Sequence, residues 1–253
     1  MIVSYPSIGT RWDDFVGAAG PYDTRMSFLG SDGQTYCILT NRVRRFPSTT
    51  NLYSFPVVGG IDADNEHLVP IAHGDWIYHC KVGRSSSNML LGLYAYNPVT
   101  GTPVTIKTVT TALSHTIYAF VSSHTFSDVS VDPVTGIGLA YMGWDLTYTY
   151  ETVTYGGGEA FYTYTTVTER GHYLCTFDAG NGATSPAWRE ALVSSGPTSG
   201  SITPYGLACA WNDVGLYYDA VAGTYKRVAS ITAGGAGSNL ITGTTPFSLI
   251  TGP

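Results

Sequence analysis

Charge is scarce in this chain. Asp, Glu, Lys and Arg make up 12% of 253 residues, about half the usual share. Lysine is the rarest cation, confined to Lys81, Lys107 and Lys226, and the net charge is −6. Nucleic-acid binding needs cations arrayed along one face, so no nucleic-acid partner is expected. No apolar run approaches the roughly 18 residues of a membrane helix, so no membrane span is expected. Met1 to Pro6 lacks a basic stretch followed by a long apolar one, so no signal peptide is expected. A role outside a cell then requires another exit route, such as lysis.

Catalytic signatures are also missing. There is no G-x-S-x-G, no P-loop and no dinucleotide fingerprint. Asp13 and Asp14 are adjacent, so on a strand their side chains diverge and make a poor acid–base pair. His67, His73 and His79, with Glu66 and Asp75, lack the tight spacing of a metal site. Asp62 to Glu66 lacks the internal glycine of a calcium loop and reads as a hydrated acidic loop. Neither metal nor cofactor is expected. Cys37, Cys80, Cys175 and Cys209 each sit inside a strand-like run with no close partner, so all four are expected to be reduced and buried. Arg42, Arg44 and Arg45 form the one basic cluster, read as a solvated strand edge with Arg42 and Arg44 on one face.

The chain is rich in glycine (30 residues) and tyrosine (19). It also repeats a turn. Asn97-Pro98-Val99-Thr100-Gly101 returns as Asp132-Pro133-Val134-Thr135-Gly136, with looser copies at Asp178 to Gly182 and Asp219 to Gly223. The leading Asp or Asn bonds a nearby amide, proline presets φ, and glycine supplies the positive φ that closes the turn. Strand-like runs lead into each copy: Gly92 to Tyr96, Val129 to Val131, Tyr173 to Phe177 and Leu216 to Tyr218. The closing glycines, Gly101, Gly136, Gly182 and Gly223, are 35, 46 and 41 residues apart. Paired strand runs recur in four places, from Gly33 to Phe55, Gly74 to Tyr96, Gly138 to Phe177 and Leu207 to Tyr218. The reading is one all-β domain over residues 1–253, a propeller-like repeat of about 4–6 four-stranded units. A β-sandwich or a multi-sheet virion fold stays open.

Leu93 to Gly101 resembles the strand-turn unit of β-propeller repeat proteins with D-x-x-T-G turns. The resemblance covers the middle of the chain and implies a propeller-like fold. It carries no catalytic residue across, and the aromatic that often follows the glycine in that family is missing. Ser31 to Tyr36 is similar to the Asp-box of sialidase-type propellers but departs in spacing and has Tyr for Trp.

Three segments stand apart. Ser185 to Leu192 has a serine N-cap and a proline at the first turn, and predicts a short helix. Residues 233–253 are read as a final strand, pairing with the N-terminal segment, or as an arm. Residues 146–170 hold two Thr/Tyr/Val-rich runs around Gly156-Gly157-Gly158, an inserted β-hairpin arm. With all three glycines in the loop, Tyr148, Tyr150, Tyr162 and Tyr164 share one face, and Val153, Phe161 and Val167 the other. Neither face suits water, so Tyr148, Tyr150, Val153, Phe161, Tyr162 and Tyr164 are the expected interface.

The expected function is a non-enzymatic structural component of a virus particle, a bacteriophage tail or capsid-surface protein. In texture the chain is similar to phage decoration and tail proteins. Other virion proteins or copies of itself are the expected partners, and a host-surface glycan is a further one. The alternative is a carbohydrate-binding propeller that stacks sugars on Trp12, Trp76, Trp144 and Trp211, with Trp188 a further candidate.

Overall fold

The computed structural model describes residues 24–39, 42–56, 70–180, 185–199, 208–228, 230–232 and 245–247. These residues form sixteen strands and no helix. The strands fall into four antiparallel sheets, each of four strands in chain order. The first sheet holds β1 (Thr24–Leu29), β2 (Thr35–Leu39), β3 (Arg42–Arg45) and β4 (Asn51–Ser54). The second holds β5 (Ile71–His73), β6 (Trp76–Arg84), β7 (Asn88–Asn97) and β8 (Thr102–Ala112). The third holds β9 (Ala119–Val131), β10 (Ile137–Gly156), β11 (Glu159–Asp178) and β12 (Ala187–Thr198). The fourth holds β13 (Ala208–Trp211), β14 (Val214–Asp219), β15 (Thr224–Val228) and β16 (Thr245–Phe247).

Each sheet packs on the next along the chain. Phe28, Tyr36, Ile38 and Val43 of the first meet Ile77, Tyr94 and Tyr96 of the second. The opposite face of the second presents Tyr78, Cys80, Leu91 and Leu93 to Ala140, Met142, Trp144 and Cys175 of the third. The third then turns Leu139, Tyr141 and Leu174 toward Tyr217, Tyr218 and Val228 of the fourth. Odd and even residues of one strand thus serve different cores, as the period of two requires. Sheets buried on both faces need continuous apolar runs, and β7 (Asn-Met-Leu-Leu-Gly-Leu-Tyr-Ala-Tyr-Asn) is one. Small residues admit the largest rings. Gly171 faces Trp144, whose ring fills the space a β-carbon would take.

Three copies of the repeated turn form as their chemistry predicts, and the fourth, Asp178 to Gly182, lies partly outside the described residues. Asn97 Oδ1 accepts the amides of Val99 and Thr100, at 3.0 and 3.1 Å, and Gly101 closes at φ 72°. Asp132 accepts the Val134 amide and the Thr135 hydroxyl, and Gly136 closes at φ 70°. Asp219 accepts the amides of Val221 and Ala222. The copies do not mark equivalent points, however. They join β7 to β8, β9 to β10 and β14 to β15. The apparent period reflects hairpin density, whereas the four paired strand runs fall one to each sheet.

Two expectations are corrected. Ser185 to Leu192 is not helical, and Ala187–Thr198 is strand β12, paired with β11 along eleven positions. A two-turn helix is marginal alone, and the open edge of β11 offers a full ladder instead. The basic cluster is not an edge: β3 lies between β2 and β4. A bulge at Val43/Arg44 breaks the alternation, so Arg42 is exposed while Arg44 is buried and donates Nε–H to Asn51 Oδ1 at 2.8 Å. In the C-terminal segment β16 forms and pairs with β15. The rest of residues 233–253 and the N-terminal segment lie outside the described residues.

The third and fourth sheets are joined by a rail of side chains. Asp128 Oδ2, Ser130 Oγ and Asp132 Oδ1 accept the amides of Ala208, Ala210 and Asn212, each at 3.1 Å. Alternate residues of β9 and the turn after it therefore satisfy alternate amides of β13 and its turn, eighty positions on. Asp132 Oδ2 also accepts the Asp213 amide at 2.7 Å. This holds Asn212 and Asp213 at φ 48° and 67° in the β13–β14 turn. Burial alone raises the Asp132 carboxyl, but bonds from Asp213, Val134, Thr135 and Asn212 hold it below its ordinary 3.8. Asp213 and Asp219 are likewise lowered, against burial, by their hydrogen bonds. His172 is fully buried and ring-stacked with Tyr141. Burial lowers it to about 4, although Asp219 lies 3.9 Å away.

Two tests follow from this packing. Asp132→Ala strands several donors and is expected to cost about 2–4 kcal/mol in urea unfolding. The pH profile has a matching sign. An unfolded His binds a proton near 6.5 while folded His172 resists it until about 4, so stability falls as pH drops through that window. Below 3.8 the depressed Asp132, Asp213 and Asp219 are expected to remove more. His172→Phe should flatten the upper segment only, and an unchanged profile in that variant contradicts the assignment. The cysteines give a further test. Cys37, Cys80 and Cys175 are buried and free, but Cys209 is free and exposed, contrary to expectation. Native thiol titration should label one thiol per chain, lost in Cys209→Ser.

Candidate interaction surface

The central strands β10 and β11 each run to 20 residues, longer than any other strand described. Their inner halves are buried between the second and fourth sheets. Their flanking strands stop early. β9 pairs with β10 only as far as Thr149, and β12 with β11 only as far as Thr168. Beyond these rows no described strand flanks the pair, which continues to its tip. Seven residues, Tyr150 to Gly156, carry the ribbon about 23 Å past the four-stranded region. Residues 151–166 are exposed throughout. The hairpin is thus no insertion between strands but an extension of the two central ones.

The tip is a two-residue turn. Gly156 pairs with Glu159, leaving Gly157 and Gly158 at φ 63° and 86°. Two successive positive φ values define the primed turn that suits strand twist. The expected three-glycine loop is therefore short by one, and the facing pairs shift by one residue. Val153 lies opposite Tyr162, Thr154 opposite Phe161 and Glu151 opposite Tyr164. One face carries Tyr148, Tyr150, Thr152, Thr154, Phe161 and Val167, continuing the surface that meets the second sheet. The other carries Glu151, Val153, Tyr155, Tyr162 and Tyr164, continuing the surface that meets the fourth. The predicted separation of tyrosines from Val153 and Phe161 is lost, because a one-residue slip exchanges faces between the strands.

The root of the ribbon is pinned. Glu169 is buried and accepts the Tyr148 hydroxyl at 2.7 Å and the Ser114 amide at 2.9 Å. Burial first, and then the Glu169 carboxylate, push the Tyr148 hydroxyl well above its ordinary value. The strap between β8 and β9 follows the same root. His115 stacks on Tyr150 at 3.7 Å, the Tyr118 ring meets Tyr164 at 4.8 Å, and the Tyr118 amide donates to Thr149 O. Arg84 sits over the Phe120 ring at 3.4 Å. Hydrogen bonds to Glu151 and to Tyr118 push the Tyr164 hydroxyl up to about 12.

The expected interface residues divide. Val153, Phe161, Tyr162 and Tyr164 are exposed on the ribbon. Tyr150 is half-buried under His115, and Tyr148 is core. Tyr155, 82% exposed, and Tyr118 belong to the surface and were not among the expected set. Tyr155 was legible as the aromatic nearest the glycines, but Tyr118 comes from a strap that only the fold brings near. From Thr147 to Thr168 the ribbon has Glu151 and Glu159 and no cation.

The tryptophans divide too. Trp144 is fully buried and Trp76 nearly so, so neither offers a ring to a sugar. Trp211 is 65% exposed, and Trp188 is partly exposed with Lys107 Nζ over its ring at 4.2 Å. Trp12 lies outside the described residues, as do Asp13, Asp14, Asp62 to Glu66 and His67. Among the described residues no group of three His, Cys, Asp or Glu side chains has metal-holding geometry. Asp32 in the Ser31 to Tyr36 turn accepts the Gln34 amide and the Tyr36 hydroxyl, a structural role. No helix among them is long and apolar enough to cross a membrane. No protein-family model matches the chain, and no curated protein or solved structure is significantly similar to it.

The register makes a sharp mutational contrast. Tyr148→Ala empties a core site and is expected to cost about 3–5 kcal/mol. Tyr162→Ala, on the exposed ribbon, should stay within about 0.5 kcal/mol. Equal losses in thermal unfolding would contradict the division of the strands into core and ribbon.

Proposed function

We propose that this chain is a non-enzymatic structural component of a virus particle, a bacteriophage tail or capsid-surface protein that docks through its ribbon. The observation that carries the reading is the exposed two-stranded ribbon with Val153, Tyr155, Phe161, Tyr162 and Tyr164 on its surface. A two-stranded ribbon alone in water is marginal. Rigid aromatic side chains are the residues that anchor interfaces. The low charge of the chain favours packing among many copies over life as a lone monomer. The location implied is the virion, and the partners are other virion proteins or copies of this chain.

The sheets are read as blades of a propeller-like array. Four meanders stacked in chain order support that reading, as does β13 running alongside β9. A glycan-binding role is the second reading, carried by the exposed rings of Trp211 and Trp188. A glycan array probed with wild type and Trp211→Ala separates it from the first.

The docking reading is tested by deleting the ribbon. Replacing Glu151 to Tyr164 with Asn-Gly keeps Tyr150 opposite Thr165 and should leave the body folded, since the removed residues are exposed. The same deletion should abolish incorporation into particles. Normal incorporation of the deleted protein would remove the basis of the proposal.

A further inference from the structure

The geometry points to a second copy of this chain as the occupant of the free β10 edge, joined ribbon to ribbon about a two-fold axis at Val153. The inference rests on the docking reading of the ribbon and names its partner. Thr149 turns its carbonyl away from β11 to accept the Tyr118 amide. By the two-residue period of the ladder, Glu151, Val153 and Tyr155 turn their amides and carbonyls to the same side. Beyond Thr149 no described strand pairs with that side. Six backbone groups therefore stand in a row without a partner among the described strands.

Natural edges are usually blunted by lysine, proline, a bulge or a covering segment. Glu151 to Gly156 has none of the first three, and its pairing with β11 runs without a bulge. The strap that covers the root ends at Thr149. An antiparallel copy centred on Val153 sets Val153 against its own symmetry mate and Glu151 against Tyr155 of the second chain. That register uses all six groups. It places each acid opposite a tyrosine, so no two carboxylates face each other. A closed two-fold contact of this kind is self-complementary. It converts two marginal ribbons into one four-stranded sheet.

The test is the oligomeric state of the full chain by sedimentation, from micromolar to near-millimolar concentration. A concentration-dependent dimer is expected. Val153→Pro removes an outward amide that the hairpin does not use, so the fold should survive and dimerisation weaken at least about tenfold. Val153→Lys should do the same by adding the cation that edges normally carry. In a Cys209→Ser background, Val153→Cys should oxidise to a disulfide-linked dimer, while Thr152→Cys, whose copies lie diagonally about 8 Å apart in this register, should not. A monomer at every concentration, or dimerisation and cross-linking indifferent to Val153, overturns the inference. A monomeric chain whose ribbon is still required for particle incorporation overturns this pairing and leaves the docking reading standing. A Val153-dependent dimer that enters particles without its ribbon does the reverse.

Discussion

Strand edges in this molecule are either satisfied or conspicuously open, and the contrast organises the fold. Amides of β13 and of the turn after it meet Asp128 and Ser130 on β9 and Asp132 just beyond it, so the fourth sheet is tied to the third by bonds its backbone cannot supply. Asp132 closes its own turn and the next sheet's turn with one carboxylate. Hydrogen bonds to an ionised group are stronger than neutral ones, so a few such residues can fix the spacing of two sheets. Set against that rail, the outer edge of β10 beyond Thr149 has no described strand beside it.

The same two strands therefore live in two environments. Up to Tyr148, β10 is enclosed on both faces, and the large rings of Trp144 and Tyr148 fill the core between second and third sheets. From Glu151 outward the same kinds of residue, Thr, Tyr and Val, stand in solvent. Glu169, Tyr148 and the His115–Tyr150 stack mark the boundary and hold the ribbon to the body. Pinning matters for recognition, because an element already ordered loses less entropy on binding.

Much of this was legible from local chemistry. Asx-type turns, hairpins and the glycine tip depend on a few adjacent residues, and they form where the sequence places them. What was not legible depends on the third dimension. Two or three glycines close a hairpin about equally well, and with Thr and Tyr on both faces no apolar stripe selects the register, so the faces were misassigned. Tyr148 and Tyr162 look alike in sequence, but flanking strands cover only one of them. Ser185 to Leu192 carries a good helix start, and the ladder offered by β11 overrides it. The rail had a faint signal: Asp128, Ser130 and Asp132 alternate with buried Val129 and Val131.

Amide hydrogen exchange across the whole chain, isolated and in its assembled state, tests the central claim most directly. The outward amides of Glu151, Val153 and Tyr155 should exchange rapidly in the dilute chain and become protected on assembly, with the change concentrated between residues 150 and 166. Protection gained elsewhere, for instance around Trp211, with the ribbon amides still exchanging rapidly, would contradict the account.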